Sequence, residues 1–263
     1  MPKLIPTVPG GAPPRPGTPA AEPKGVKDNA SDAAVAAIGW LDERTAISGT
    51  ARWVMFRKVP KGTNWFYTLG TSTMFAFLSQ VITGVVLAMY YDPSPNRAYE
   101  SMRYINNEVF LGWFVHGMHR WGATVMVILI FLHMGRTFFF GAYKYPRELN
   151  WIIGVVLVLL TMIMALTGYL LPWDQRSYWA TAVGVNVFAS APIAGPYLGD
   201  FLRAGPEFGA TTLSRFYAIH MLAIPGMMAA LIGAHLYLVI KHGTTAPPWV
   251  KAEIDDELRR EDI

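Results

Sequence analysis

The sequence predicts an all-α membrane protein: a bundle of four transmembrane helices preceded by an amphipathic helix in the interface. Three observations predict it. The 263 residues are 52% hydrophobic and only 15% charged, a balance that soluble domains seldom show. Four apolar stretches, at residues 65–91, 113–140, 151–172 and 213–241, each approach the roughly 20 residues needed to cross a bilayer. The basic residues flank these stretches as membrane anchors do, so the formal charge of +4 carries no suggestion of a nucleic-acid partner.

Residues 1–35 are rich in Pro, Ala and Gly, lack aromatic side chains, and hold no uninterrupted apolar core of the kind a secretory signal needs. A disordered cytoplasmic tail is expected there. Residues 36–62 are expected to form the interfacial helix and a linker, because segment 38–57 mixes Trp, Leu, Ile and Met with charges. The helical bundle then occupies residues 63–243, and residues 244–263 form a C-terminal cytoplasmic tail. Pro225 interrupts the last span, which is tolerable where neighbouring helices or water satisfy the freed carbonyl.

Basic residues orient the bundle. Arg52, Arg57, Lys58 and Lys61 precede the first span, Arg136, Lys144 and Arg147 lie between the second and third, and Lys241 and Lys251 follow the last. These regions are assigned to the cytoplasmic, negative (N) side, with both termini; segments 92–110 and 174–212 then face the positive (P) side. The expectation is a multi-pass protein of a bacterial plasma membrane.

Four histidines sit inside the spans in two pairs, His119 with His133 in the second and His220 with His235 in the fourth. A spacing of 14 falls about 40° short of whole turns and climbs about 21 Å; a spacing of 15 overshoots by about 60°. Each pair therefore lies on one helix face, near opposite membrane surfaces. The two helices run the same way, which levels His119 with His220 on the P side and His133 with His235 on the N side. Two neutral imidazoles saturate a haem iron and favour electron transfer, so two non-covalent, bis-histidine b-type haems are expected within the bundle. The absence of cysteine excludes disulfides, thiolate ligation and thioether attachment. Any one membrane histidine is explained equally by a carbonyl contact or a polar cavity; four at matching heights are not.

Gly70 and Gly84 in the first span, and Gly154 and Gly168 in the third, are again 14 apart, at the two haem depths, where glycine admits a macrocycle edge. Small residues for helix packing are the competing reading. Arg120, Arg136 and Arg215 lie beside the histidines near the membrane surfaces, where haem propionates need cations, although topology anchoring explains them as well.

At these residues the chain closely resembles cytochrome b, and in particular the short, four-helix cytochrome b6. The resemblance runs from about Trp40 to Pro248 and includes KVPKGTNWFYTLG at 58–70, HRWGAT at 119–124, PREL at 146–149, TGYLLPWDQRSYWA at 167–180 and TLSRFYAIH at 212–220. The spacings of 14 and 15 are those of b6. The resemblance implies a subunit of a quinol:cytochrome c or plastocyanin-type oxidoreductase working in a proton-translocating Q cycle. It implies as partners a separate subunit carrying the C-terminal half of cytochrome b, a Rieske iron-sulfur protein and a c-type cytochrome, assembled as a homodimer. Its quinol-oxidation pocket corresponds here to Tyr169, Pro172, Trp173, Trp179, Ala180 and Val183, with two short helices expected between residues 186 and 202. An aromatic belt is the competing reading of the two tryptophans.

The chain also departs from that pattern. Ala180 replaces a glycine of the mitochondrial forms, which predicts weaker binding of inhibitors that need the space. Thr68 stands where b6 has the cysteine that carries a covalent third haem, so no such group is expected. His116 replaces an arginine three residues before His119, and is expected to pair with a propionate or to face water. Arg52 and Trp53 align with acidic residues of b6, which leaves Lys241 and His242 as candidates for N-side proton delivery. Glu207, in Gly205-Pro206-Glu207-Phe208, lies before the fourth helix, so it does not match the glutamate of the partner subunit's Pro-Glu-Trp-Tyr motif. Two other classes are a dihaem anchor of a membrane dehydrogenase, against which the PWDQ segment argues, and a scaffold or transporter without haem.

Overall fold

The computed structural model describes residues 26–46, 48, 49, 56 and 60–250, and the chain divides into two compact units, Met1–Arg57 and Lys58–Ile263. In the first unit, α1 spans Val26–Thr45. It starts well before the expected interfacial helix, so part of the presumed tail is helical. The reason is Ala33, Ala34, Ala36 and Ala37, whose high helix propensity outweighs their lack of amphipathic patterning. Arg44 closes its last turn, donating to the Trp40 carbonyl at 2.9 Å and lying 4.2 Å over the Trp40 ring. Beyond it the Asp42 carboxylate accepts from the Ser48 backbone and hydroxyl, which holds its pKa below the ordinary carboxylate value. Residues 1–25 and most of 47–59 lie outside the described residues, as does the tail from 251.

Among the described residues, the second unit holds four helices long and apolar enough to cross a membrane: Trp65–Ala88, Gly112–Phe139, Glu148–Leu170 and Ala210–His242. The first joins a 3-10 turn at Trp65–Thr68, capped by Asn64, to α2 (Leu69–Ala88). A surface helix α3 (Ala98–Asn107), unforeseen from sequence, precedes the second span, α4 (Gly112–Phe139). The third span is α5 (Glu148–Leu170), followed by α6 (Gln175–Ala189) and α7 (Gly195–Arg203). The fourth span is composite: α8 (Ala210–Ala218), a π turn at Ile219–Ala223, and α9 (Ile224–His242).

The short helices correct the expectation of two within 186–202. The first begins at Gln175 because Asp174 and Ser177 form a capping box: the Ser177 N–H donates to Asp174 Oδ1 at 2.8 Å and the Asp174 N–H to Ser177 Oγ at 2.9 Å. The π turn has its own cause in Pro225. Without an N–H, proline cannot continue the helical ladder, and the Ile224 N–H reaches back five residues to Ile219.

Helix α2 packs along α4 and α5 packs along α9, with α4 and α5 adjoining. Ala76, Phe77, Met126, Leu157, Leu160, Ile224 and Met228 form a buried apolar layer to which all four spans contribute. In each helix this layer falls between the two histidine or glycine positions, so it separates two levels. A second cluster, Ala98, Leu170, Val185, Leu213 and Phe216, lies under the connections made by α3, α6 and α7. The outward residues Phe75, Ile82, Ile128, Leu159 and Leu222 are all more than half exposed, as lipid-facing positions are.

Candidate haem sites

The histidines converge in two pairs with nearly the same geometry. His119 and His220 have ring centroids 6.3 Å apart at 76°, and His133 and His235 are 6.5 Å apart at 78°. The π turn accounts for this match. By adding one residue to a turn directly at His220, it absorbs the extra residue of the 15 spacing, so α9 presents His235 in the phase that α4 gives His133. The dimensions suit one ion between each pair. A metal–imidazole bond is about 2.0 Å and an imidazole nitrogen lies about 1.2 Å from the ring centre, so opposed ligands have centroids about 6.4 Å apart.

Each ring leans on a glycine of the neighbouring helix. A Cβ added at Gly70 would lie 3.0 Å from His133 Cε1, at Gly84 3.1 Å from His119 Cε1, at Gly168 2.5 Å from His220 Cε1, and at Gly154 3.6 Å from His235 Cε1. The glycine period therefore repeats the histidine period because the glycines make room for the rings themselves.

Hydrogen bonds define the protons at one level. Thr83 Oγ1 donates its only proton to the Ser79 carbonyl at 2.7 Å and lies 2.9 Å from His119 Nδ1, so toward the ring it accepts. His220 Nδ1 lies 3.1 Å from the Met164 carbonyl, which only accepts. Both Nδ1 atoms therefore carry hydrogen, and both Nε2 lone pairs are free for a metal. At the other level the His133 Nδ1 has no hydrogen-bond partner, whereas the His235 ring faces the Asn150 backbone. Gln80 braces His119 further, its amide bridging the His119 carbonyl at 2.7 Å and the Ala123 N–H at 3.3 Å. None of Thr83, Thr167, Met164 or Gln80 emerged from the sequence reading. A signal exists: threonine precedes glycine at Thr83-Gly84 and Thr167-Gly168, whereas Leu69-Gly70 and Ile153-Gly154 place apolar residues there.

The three arginines differ. Arg136 lies 3.8 Å over Tyr67 and 5.0 Å from Phe140, with Nε and Nη2 buried and unpartnered, which suits an anionic group such as a propionate. Arg120 is exposed. Arg215 donates to the Phe201 carbonyl and lies 4.9 Å over the Phe201 ring, so part of its donor set ties α8 to α7. His116 Nδ1 pairs with Asn106 Oδ1 at 2.9 Å, which links α4 to α3. On the opposite surface, Arg147 donates to the His242 and Gly243 carbonyls.

The expected quinol-pocket residues divide between two environments. Trp179, Ala180 and Val183 lie on an exposed face of α6, and Tyr169 is exposed on α5. Trp173 instead packs against the second apolar cluster and Tyr178, 5.5 Å away, with its backbone at φ 53, a strained value for a bulky residue. Tyr91 anchors this turn: its hydroxyl donates to the Leu171 carbonyl at 2.5 Å, directly before Pro172.

The family described as Cytochrome b/b6/petB matches residues 54–243. The chain is 40% identical over 216 residues to the menaquinol:cytochrome c reductase cytochrome b subunit of Geobacillus thermodenitrificans, covering 79% of this chain and 96% of that one. It is likewise 40% identical over 208 residues to cytochrome b6 of Mastigocladus laminosus, covering 79% and 97%. A hyperthermophilic respiratory Complex III structure superposes with a TM-score of 0.73 at 35% identity, over 80% of this chain but 56% of its counterpart. With paired histidines at two levels of a four-span bundle and these matches across the same residues, the chain belongs to the cytochrome b/b6 family.

Proposed function

We propose that the chain is the dihaem cytochrome b subunit of a quinol:cytochrome c or plastocyanin-type oxidoreductase, with His119 and His220 holding one b-type haem and His133 and His235 the other. The observation that carries this reading is the pair of ring separations, 6.3 and 6.5 Å, each fitting one iron between two imidazoles. When bound, such haems supply a path for single electrons across the membrane. The protein's part is to hold the ligands in one tautomer, exclude water with the apolar layer between the levels, and meet propionates with Arg136, Arg120 and the remaining donors of Arg215.

In this reading quinol is oxidised on the P side, beside the turn of Pro172 and Trp173 and the α6 face of Trp179, Ala180 and Val183. One electron leaves to a Rieske protein and c-type cytochrome; the other crosses to an N-side quinone, as in a Q cycle. The chain spans about half the matched Complex III chain, and in this reading a separate subunit carrying the C-terminal half of cytochrome b supplies the rest of the pocket. Basic flanks support both termini on the N side. The matches to reductase and b6 chains favour this reading over a dehydrogenase anchor.

The test is a reduced-minus-oxidised spectrum and haem count on the purified complex. Two b-type haems per chain are expected, with one lost in His119→Ala and one in His235→Ala. A preparation without b-type bands, or two haems surviving either substitution, overturns the proposal.

A further inference from the structure

We infer that Gln80 and Gly122 form a lock that registers α4 against α2 and fixes the plane of the His119 ring, which makes Gln80 a further positioning residue for the haem between His119 and His220. The inference rests on the dihaem reading above. Gln80 is buried on α2, and its side-chain amide donates to the His119 carbonyl at 2.7 Å and accepts from the Ala123 N–H at 3.3 Å. A carbonyl and the N–H four residues on are the two ends of one rung of an α-helix, so the amide from α2 shares a rung of α4 directly at the ligand. The facing helix is shaped to admit it. Gly122 lies within that rung, and a Cβ there would overlap the Gln80 amide nitrogen.

The same turn of α2 meets the ring. The Gln80 backbone and Thr83 Oγ1, 2.9 Å away, face His119 Nδ1, and Gly84 makes room beside Cε1. Residues 80–84 therefore grip His119 at both backbone and ring, and the amide fixes how far the His119 backbone stands from the groups that hold its ring. That distance sets the ring plane, which stands at 76° to the ring of His220. Removing the amide orphans no buried group, because the His119 carbonyl and the Ala123 N–H still have each other as partners in an ordinary rung. The lock consequently contributes more to ligand geometry than to folding.

The test is the low-spin ferric EPR spectrum of the purified complex carrying Gln80→Met, Gly122→Ala or both. The largest g value of a bis-histidine haem reports the angle between its imidazole planes, which surrounding partners of the ligands orient. Methionine keeps the length of the side chain and removes both hydrogen bonds. Alanine at Gly122 expels the amide from the rung at little cost, because the displaced atom ends a flexible side chain. In each variant one of the two haem signals should shift to a smaller largest g value while the other stays, with both haems retained. The double variant should match either single one, because both changes remove the same contact. Gly117→Ala, on the same helix with nothing within 4 Å of the added Cβ, should leave both signals unchanged. No shift, a shift with only one of the two substitutions, equal shifts at both haems, or a shift in Gly117→Ala overturns the inference. Should one variant fail to assemble, the other decides; failure of both makes Gln80 a residue of the fold and likewise overturns it. A wild-type complex without two b-type signals would refute the dihaem reading instead.

Discussion

Replacing Gly168 by alanine should damage one haem site selectively, and Gly154→Ala provides the matched control. Both glycines lie on α5 and each faces a histidine ring of the fourth span. The added Cβ would stand 2.5 Å from His220 Cε1 at Gly168 but 3.6 Å from His235 Cε1 at Gly154. Ordinary carbon contacts begin near 3.4 Å, so the first site is short by about 0.9 Å and the second by nothing. His220 cannot swing away freely, because its Nδ1 is tied to the Met164 carbonyl at 3.1 Å and Thr167 Oγ1 lies 3.2 Å away. Forcing a methyl group into such a site costs about 1–3 kcal/mol, and here the strain falls on an iron ligand. That corresponds to roughly 5- to 150-fold weaker retention of the haem between His119 and His220. Alanine also gains about 1 kcal/mol of helix propensity over glycine, so Gly154→Ala should be neutral or mildly stabilising. Haem per chain and the two-component reduction spectrum are the assay. Gly70→Ala and Gly84→Ala, at 3.0 and 3.1 Å, should fall between the two. Equal haem loss from Gly154→Ala and Gly168→Ala, or full occupancy in both, would refute the reasoning.

Three further outcomes are expected. The Tyr91 pKa is raised above its ordinary value, first by burial and then by Tyr217 and Asp92, so the folded state keeps a proton that the unfolded chain releases. The associated stability is present below about pH 10 and declines as pH rises above it; thermal unfolding of wild type and Tyr91→Phe should differ by about 1 kcal/mol near neutrality and converge in alkali. Convergence at acid pH instead would reverse the sign. Because Thr68 occupies the position of the b6 cysteine and its hydroxyl donates to the Trp65 carbonyl at 2.7 Å, the denatured chain should have the mass of the bare polypeptide; a haem adduct would contradict this. Ala180 lies on the exposed face of α6, and Ala180→Gly should tighten inhibition by a methoxyacrylate compound, read as a lower inhibitory concentration in a quinol–cytochrome c assay. Inhibition unchanged by the substitution would remove Ala180 from the pocket.

Much of the bundle was legible because membrane spans are dictated by length and apolarity, which need no knowledge of neighbours. The observed spans agree with the expected ones to within a few residues at most ends. The surface helices were less legible. Their boundaries depend on capping, as at Asp174 and Ser177, and on docking against Leu170 and Phe216, a partner surface contributed by distant segments. The pocket residues were named by resemblance, and Trp173 shows the limit of that route, since its side chain turns inward while Trp179 and Val183 face outward.

By itself the sequence determined that four spans exist, that histidines recur near both ends of the second and fourth, and that glycines recur in phase with them. These are properties of helical periodicity, fixed at the level of a single helix. Only the tertiary structure decided how the rings meet. It absorbed the fifteenth residue in a π turn ahead of Pro225, set each glycine against a ring across a helix interface, and gave His119 and His220 hydrogen-bond partners that His133 lacks. Each of these depends on distances between helices, which periodicity along one chain segment does not specify.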